Sequence, residues 1–182
     1  MISIYYVSGR DGALDRGLGA EIQTYAHQFF GRSVSGDFEK LDHAEQVQMI
    51  REDLRSMPVD EPKLLVAHSY GAYLLLHALI RNPLSIDTLL LISPVTGAAM
   101  GNGRFFRPPG TKALSQAFED RSISLPKQGA LVTGELDWQS PADRGKDVAL
   151  QLGIKSSVVP NVGHRLPVEF VQSVLNESLA TG

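Results

Sequence analysis

The sequence contains no cysteine. Disulfides and thiolate metal ligands are therefore excluded, and the absence is silent about redox compartment. Long apolar runs are missing as well: no stretch approaches the roughly eighteen residues of a membrane span. The chain enters a strand-like run at once, without the basic and apolar regions of a secretion signal. The expectation is a soluble, cytoplasmic protein, and the sequon-like Asn176-Glu177-Ser178 carries little weight without such a signal. Charge of one sign is scarce: 17 Lys and Arg face 20 Asp and Glu, for a formal net charge of -3. The basic residues do not line one helix, so nucleic acid is excluded as a partner. Internal repeats, Gly-x-Gly-x-x-Gly, the P-loop pattern and His-Glu-x-x-His are all lacking, so no cofactor or metal is called for. The sequence names no protein partner.

What is present is enough apolar material for one substantial core: 182 residues, of which 43% are hydrophobic, expected to form one domain over residues 1–182. Strand-like and helix-like stretches alternate, the pattern of an α/β fold whose mostly parallel sheet is covered on both faces. Strands are expected near 2–7, 33–37, 63–67, 87–93, 129–134 and 155–160. Leu18, Ile22, Tyr25 and Phe29 recur at helical spacing, as do His43, Val47, Ile50 and Leu54, the latter after an Asp42–Glu45 capping box. Further helices are expected near Lys112 to Glu119, from Pro141 with Ser140 as cap, and from Pro167 with Val168, Val171, Leu175 and Leu179 on one face. The Pro- and Gly-rich stretch from Ser93 to Pro126 is the least regular.

Chemistry concentrates at Ala67-His68-Ser69-Tyr70-Gly71. The strand formers Lys63-Leu64-Leu65-Val66 precede it and the apolar run Ala72 to Ile80 follows. A serine on a sharp strand-to-helix turn, a nucleophile elbow, needs small residues two positions away on either side, because strand and helix backbones approach closely there. Ala67 and Gly71 meet that need, with alanine standing where glycine is usual. The alternative is a buried serine in an ordinary turn. Downstream, Asp137 follows the strand-like Ala130-Leu131-Val132-Thr133, and His164 follows Ser157-Val158-Val159-Pro160. Both would emerge at the same sheet edge as Ser69. Glu135 is the reserve acid for Asp137, which could instead be a surface carboxylate. His164 is the only histidine after His77.

With serine, acid and histidine in that chain order, the sequence resembles the α/β-hydrolase family over essentially its whole length, and within it the small lidless serine hydrolases: minimal bacterial lipases and retinoblastoma-binding-protein-like hydrolases. The resemblance implies a catalytic triad, with Ser69 as nucleophile, His164 as general base and then acid, and Asp137 orienting the imidazole. It also implies a minimal six-stranded sheet lacking the family's first two strands and any large cap domain. The expected activity is that of a serine esterase of the carboxylesterase type, acting on a small-molecule ester or related acyl substrate through an acyl-enzyme. An oxyanion hole would come from the backbone of Tyr70 and of Arg10, with Gly9 in the family's glycine position after the first strand. The familiar His-Gly pair is Ser8-Gly9 here. Phe105 and Phe106 are candidates for a substrate pocket. His68 is expected to be structural and to point away from the nucleophile; His27 and His43 fall on expected helices. A competing reading is a binding or scaffold protein that keeps a serviceable triad.

Overall fold

The computed structural model describes residues 2–58, 61–101 and 103–180. Its centre is a six-stranded, all-parallel sheet in the order β2 (Gln28–Val34), β1 (Ser3–Arg10), β3 (Lys63–His68), β4 (Ile86–Ile92), β7 (Pro126–Gly134) and β8 (Lys155–Val159). The inner strands β1 (Ser3–Arg10), β3 (Lys63–His68) and β4 (Ile86–Ile92) are near-continuous apolar runs. That composition suits strands buried on both faces. Alternation then sorts their side chains. Tyr5, Val7, Leu65, Ala67, Leu89 and Leu91 face one layer, packed against α3 (His43–Ser56) and α4 (Tyr70–Leu79). Ile4, Tyr6, Leu64, Val66, Leu90 and Ile92 face the other, against α1 (Leu18–Gln23) and α7 (Val168–Ala180). Every residue of α4 is buried, so it is the central helix of its layer. The Asp42–Glu45 capping box that opens α3 is present.

Four expectations need correction. Tyr25 and Phe29 do not continue α1. The chain turns after Gln23, the His27 amide donates to the Ile2 carbonyl, and β2 runs over Gln28–Val34. The open edge of β1 offers residues 28–32 a continuous ladder, and that pairing overrides a helical spacing that only happens to extend to Phe29. Residues 36 and 37, expected in the second strand, instead open a short helix, α2 (Gly36–Lys40). Ser140 does not cap α6 (Ala142–Leu152); Pro141 holds that position without a side-chain bond. In α7 the buried face is Val171, Val174 and Leu175, while Val168 is exposed.

The irregular stretch is more ordered than its composition suggests. It holds an antiparallel hairpin, β5 (Ala99–Gly101) and β6 (Arg104–Phe106), followed by α5 (Thr111–Glu119). No separate cap domain is found among the described residues. From α6, Arg144 donates to the carbonyls of Thr96 (3.1 Å) and Ala98 (3.2 Å), fixing the base of the hairpin. The strand order reverses between β1 and β3. Open parallel sheets place their ligand crevice at the carboxyl ends of such strands.

Candidate active site

Ser69 sits where β3 gives way to α4, at φ 54° and ψ -122°. An L residue enters that region at a cost of about 1–3 kcal/mol, so the surroundings must impose it. They do so from both sides: the Ser69 amide donates to the Ile92 carbonyl (3.0 Å), and its own carbonyl accepts from Ala72 (3.1 Å) and Val95 (3.0 Å). Close packing is the other requirement. A methyl group on Gly71 would overlap the carbonyl oxygens of Val7 and Ser8, so glycine alone lets α4 lie this near β1.

The Ser69 hydroxyl lies 2.7 Å from His164 Nε2, and His164 Nδ1 lies 2.8 Å from Asp137 Oδ2. A carboxylate only accepts, so Nδ1 carries the ring hydrogen and Nε2 of the neutral imidazole accepts from the serine. Asp137 is buried, and its Oδ1 accepts from the amides of Gln139 (3.0 Å) and Ser140 (3.1 Å). These bonds leave the carboxylate no other orientation. β7 (Pro126–Gly134) delivers Asp137 and β8 (Lys155–Val159) delivers His164. Glu135 is turned elsewhere: its carboxylate accepts from the Asn161 amide (2.9 Å) and tethers the loop that carries His164.

The carboxyl end of β1 and the turn after it are held as firmly. Ser8 Oγ accepts from the Val34 amide (2.8 Å) and donates to the Gly9 carbonyl (3.0 Å), while Asp11 donates to Val34 (2.9 Å) and Gly12 to Gly9 (3.0 Å). Gly9 packs on the elbow; a methyl there would come within 3.0 Å of Ser69 Cβ and 2.9 Å of His68 Nδ1. Tyr70 is the first residue of α4, where a helix leaves its amide without an intrahelical acceptor. Phe106 lies half-buried near the Arg10 guanidinium, 5.9 Å from its ring centre, whereas Phe105, on the opposite face of the hairpin, is 67% exposed.

His68 does not point away. Its ring centre is 5.7 Å from that of His164, and burial, reinforced by the neighbouring His164 ring, pushes its pKa down to about 4. At neutral pH it is an uncharged wall beside the His164 imidazole. Trp138 is a residue that the sequence pattern does not single out: Gly101 of the hairpin packs directly on its Cβ, which joins the hairpin to the segment holding Asp137. The signal for both was a glycine facing a ring, visible only once the strands are known to be neighbours. His27 lies in the turn before β2, and His43 packs against Tyr73 and His77.

A parallel sheet bearing a serine on a strand-turn-helix elbow at its switch point is an architecture of hydrolases. The alpha/beta hydrolase family matches residues 4–168. The ydeN gene product of B. subtilis superposes with a TM-score of 0.72 at 16% identity, covering 99% of this chain and 100% of that one. The carboxylesterase CesB (YbfK) of Bacillus subtilis gives 0.61 at 17% identity, covering 99% and 84%. A monoacylglycerol lipase of Paleococcus ferrophilus gives 0.68 at 13%, covering 99% and 95%. No curated protein matches the sequence. The chain belongs to the alpha/beta hydrolase family.

Proposed function

We propose that this protein is a serine hydrolase that cleaves ester-like bonds of small or medium acyl substrates through an acyl-enzyme. The observation that carries the reading is the continuous line from Ser69 Oγ through both nitrogens of His164 to a fully hydrogen-bonded, buried Asp137. A free serine hydroxyl is a poor nucleophile at neutral pH. His164 takes its proton as the hydroxyl attacks the carbonyl carbon, then returns it to the leaving alcohol; Asp137 holds the tautomer and stabilises the imidazolium. Water repeats the sequence to release the acid. Negative charge developing on the carbonyl oxygen is met by the amide of Tyr70 and by that of Arg10 at the end of β1, each donor worth about 3–4 kcal/mol.

The site is open, since no separate cap domain covers it, and the Ser93 to Pro126 segment contributes only the hairpin as a wall. Small acyl groups react best in such a cleft, because added methylenes approach their full value of about 0.8 kcal/mol only when buried. The test is labelling by a fluorophosphonate probe, followed by nitrophenyl esters of increasing acyl length. Labelling confined to Ser69 and a flat or falling profile with acyl length are expected. A folded protein that neither labels nor turns over any ester would overturn the reading in favour of a binding or scaffold role. A rate that climbs steadily with chain length would replace the open cleft with an enclosing acyl pocket.

A further inference from the structure

Most inward-facing arginines of this chain are engaged. Arg32 pairs with Asp53 at 2.6 Å, Arg51 donates to the carbonyls of His77, Ala78 and Ile80, and Arg144 grips the hairpin base. Arg10 is different. It is exposed at the mouth of the site, and among the described residues no carboxylate pairs with it. Its guanidinium carbon instead stands 4.4 Å from the ring centre of Tyr70, the neighbour of Ser69, with Phe106 beyond it at 5.9 Å. Stacking occupies the face of the guanidinium and an interaction with the Tyr70 hydroxyl takes part of its edge, leaving the remaining N–H groups to donate to a carboxylate. Arg165 directly follows His164, is exposed, and its charge is felt by the His68 ring. Of the nearby acids, Asp137 is committed to His164 and Asp11 lies exposed beside Arg10 in the chain. In a chain of net charge -3, two exposed arginines thus adjoin residues of the site, with Asp11 exposed beside one of them.

We propose that Arg10 is the specificity-determining side chain of the cleft, and that the preferred substrate is an ester whose acyl part ends in a carboxylate, a half-ester of a small dicarboxylic acid. The proposal rests on the serine-hydrolase reading above. An open cleft gains little from burying methylenes, so a charge held beside the nucleophile is its means of choosing among small acyl groups. The carboxylate docks on the remaining N–H groups of Arg10 while its ester carbonyl meets Ser69, and the charge of Arg165 adds attraction.

The test compares kcat/KM for 4-nitrophenyl hydrogen glutarate and 4-nitrophenyl pentanoate, equal in chain length, with uncatalysed hydrolysis subtracted. The anion should be favoured about tenfold at low ionic strength, less as salt rises, the scale of one partly exposed charge-assisted bond. Arg10→Gln should bring the ratio to near one and Arg10→Lys should keep part of it. A second pair, 4-acetoxybenzoate and phenyl acetate, places the carboxylate on the leaving group; a preference found there instead would overturn the acyl assignment. Binding of monomethyl glutarate and methyl pentanoate to Ser69→Ala, with and without Arg10→Gln, reads recognition apart from chemistry. Brisk turnover with a ratio that Arg10→Gln does not move would sink this proposal and leave the hydrolase standing. Arg10-dependent binding without any turnover would do the reverse.

Discussion

Two pairs of histidines face one another in this molecule, and only one is wired by hydrogen bonds to a hydroxyl and a carboxylate. His68 and His164 lie 5.7 Å apart at the sheet edge, and both nitrogens of His164 are engaged, one by Asp137 and one by Ser69. His43 and His77 are closer, 4.5 Å, edge to face, with Tyr73 4.6 Å from His77, yet the Nε2 atoms of both are buried without a partner. Burial pulls the pKa of His43 down, and burial aided by the charges of His43 and Arg51 pulls that of His77 to about 4. Proximity and desolvation therefore make a neutral ring in both places. Directed partners separate them: a carboxylate that fixes the tautomer and a hydroxyl in line with the other nitrogen.

Substitutions at the wired pair should have the largest effect. Ser69→Ala and His164→Ala should each lower kcat by about 10⁴–10⁶, with the double variant little worse, because the groups act as a unit. Losses that multiplied in steady-state assays would separate the two residues. Asp137→Asn should cost on the order of 10⁴ by imposing the wrong tautomer.

The unwired pair should answer in stability instead. His77 titrates near 6.5 when unfolded and near 4 when folded. Above pH 6.5 it is neutral in both states and adds no pH dependence. As pH falls from 6.5 to 4 the unfolded chain binds a proton that the folded chain refuses, so stability declines by up to ~3 kcal/mol. Denaturant unfolding at pH 7 and pH 4.5 should show a smaller difference in His77→Leu than in the wild type; an unchanged difference would mean that the ring is not held neutral. The smallest effect is expected at Glu135, whose carboxylate holds a backbone amide. Glu135→Gln keeps an acceptor there and should lower kcat/KM by less than about threefold, under 1 kcal/mol of barrier. A loss comparable to that of Asp137→Asn would make Glu135 the working acid.

Much of this was legible in the chain. The central strands announce themselves as apolar runs, and the residues named from chain order, Ser69, Asp137 and His164, meet in one hydrogen-bonded line. Local pattern failed where a partner distant in sequence decides the outcome. Phe29 joins a strand because β1 has a free edge, and Ser140 spends its amide on Asp137 rather than its hydroxyl on a helix. His68 turns toward the site because Gly9, 59 positions earlier, leaves room for its ring. The hairpin was hidden by glycine and proline, whose backbone preferences mask pairing that here depends on Trp138 and Arg144.

The grip of Arg144 on Thr96 and Ala98 has an evolutionary consequence. It bolts the chain to α6 just before the hairpin begins, and Tyr73 of α4 does the same just after it, donating to the Pro109 carbonyl at 2.6 Å. Sequence between those two anchors can lengthen with its ends held, provided Gly101 keeps its seat on Trp138, the neighbour of Asp137. The span after Gly101 up to Pro108 is thus a natural graft site, where insertion would build a roof over the carboxyl ends of the strands.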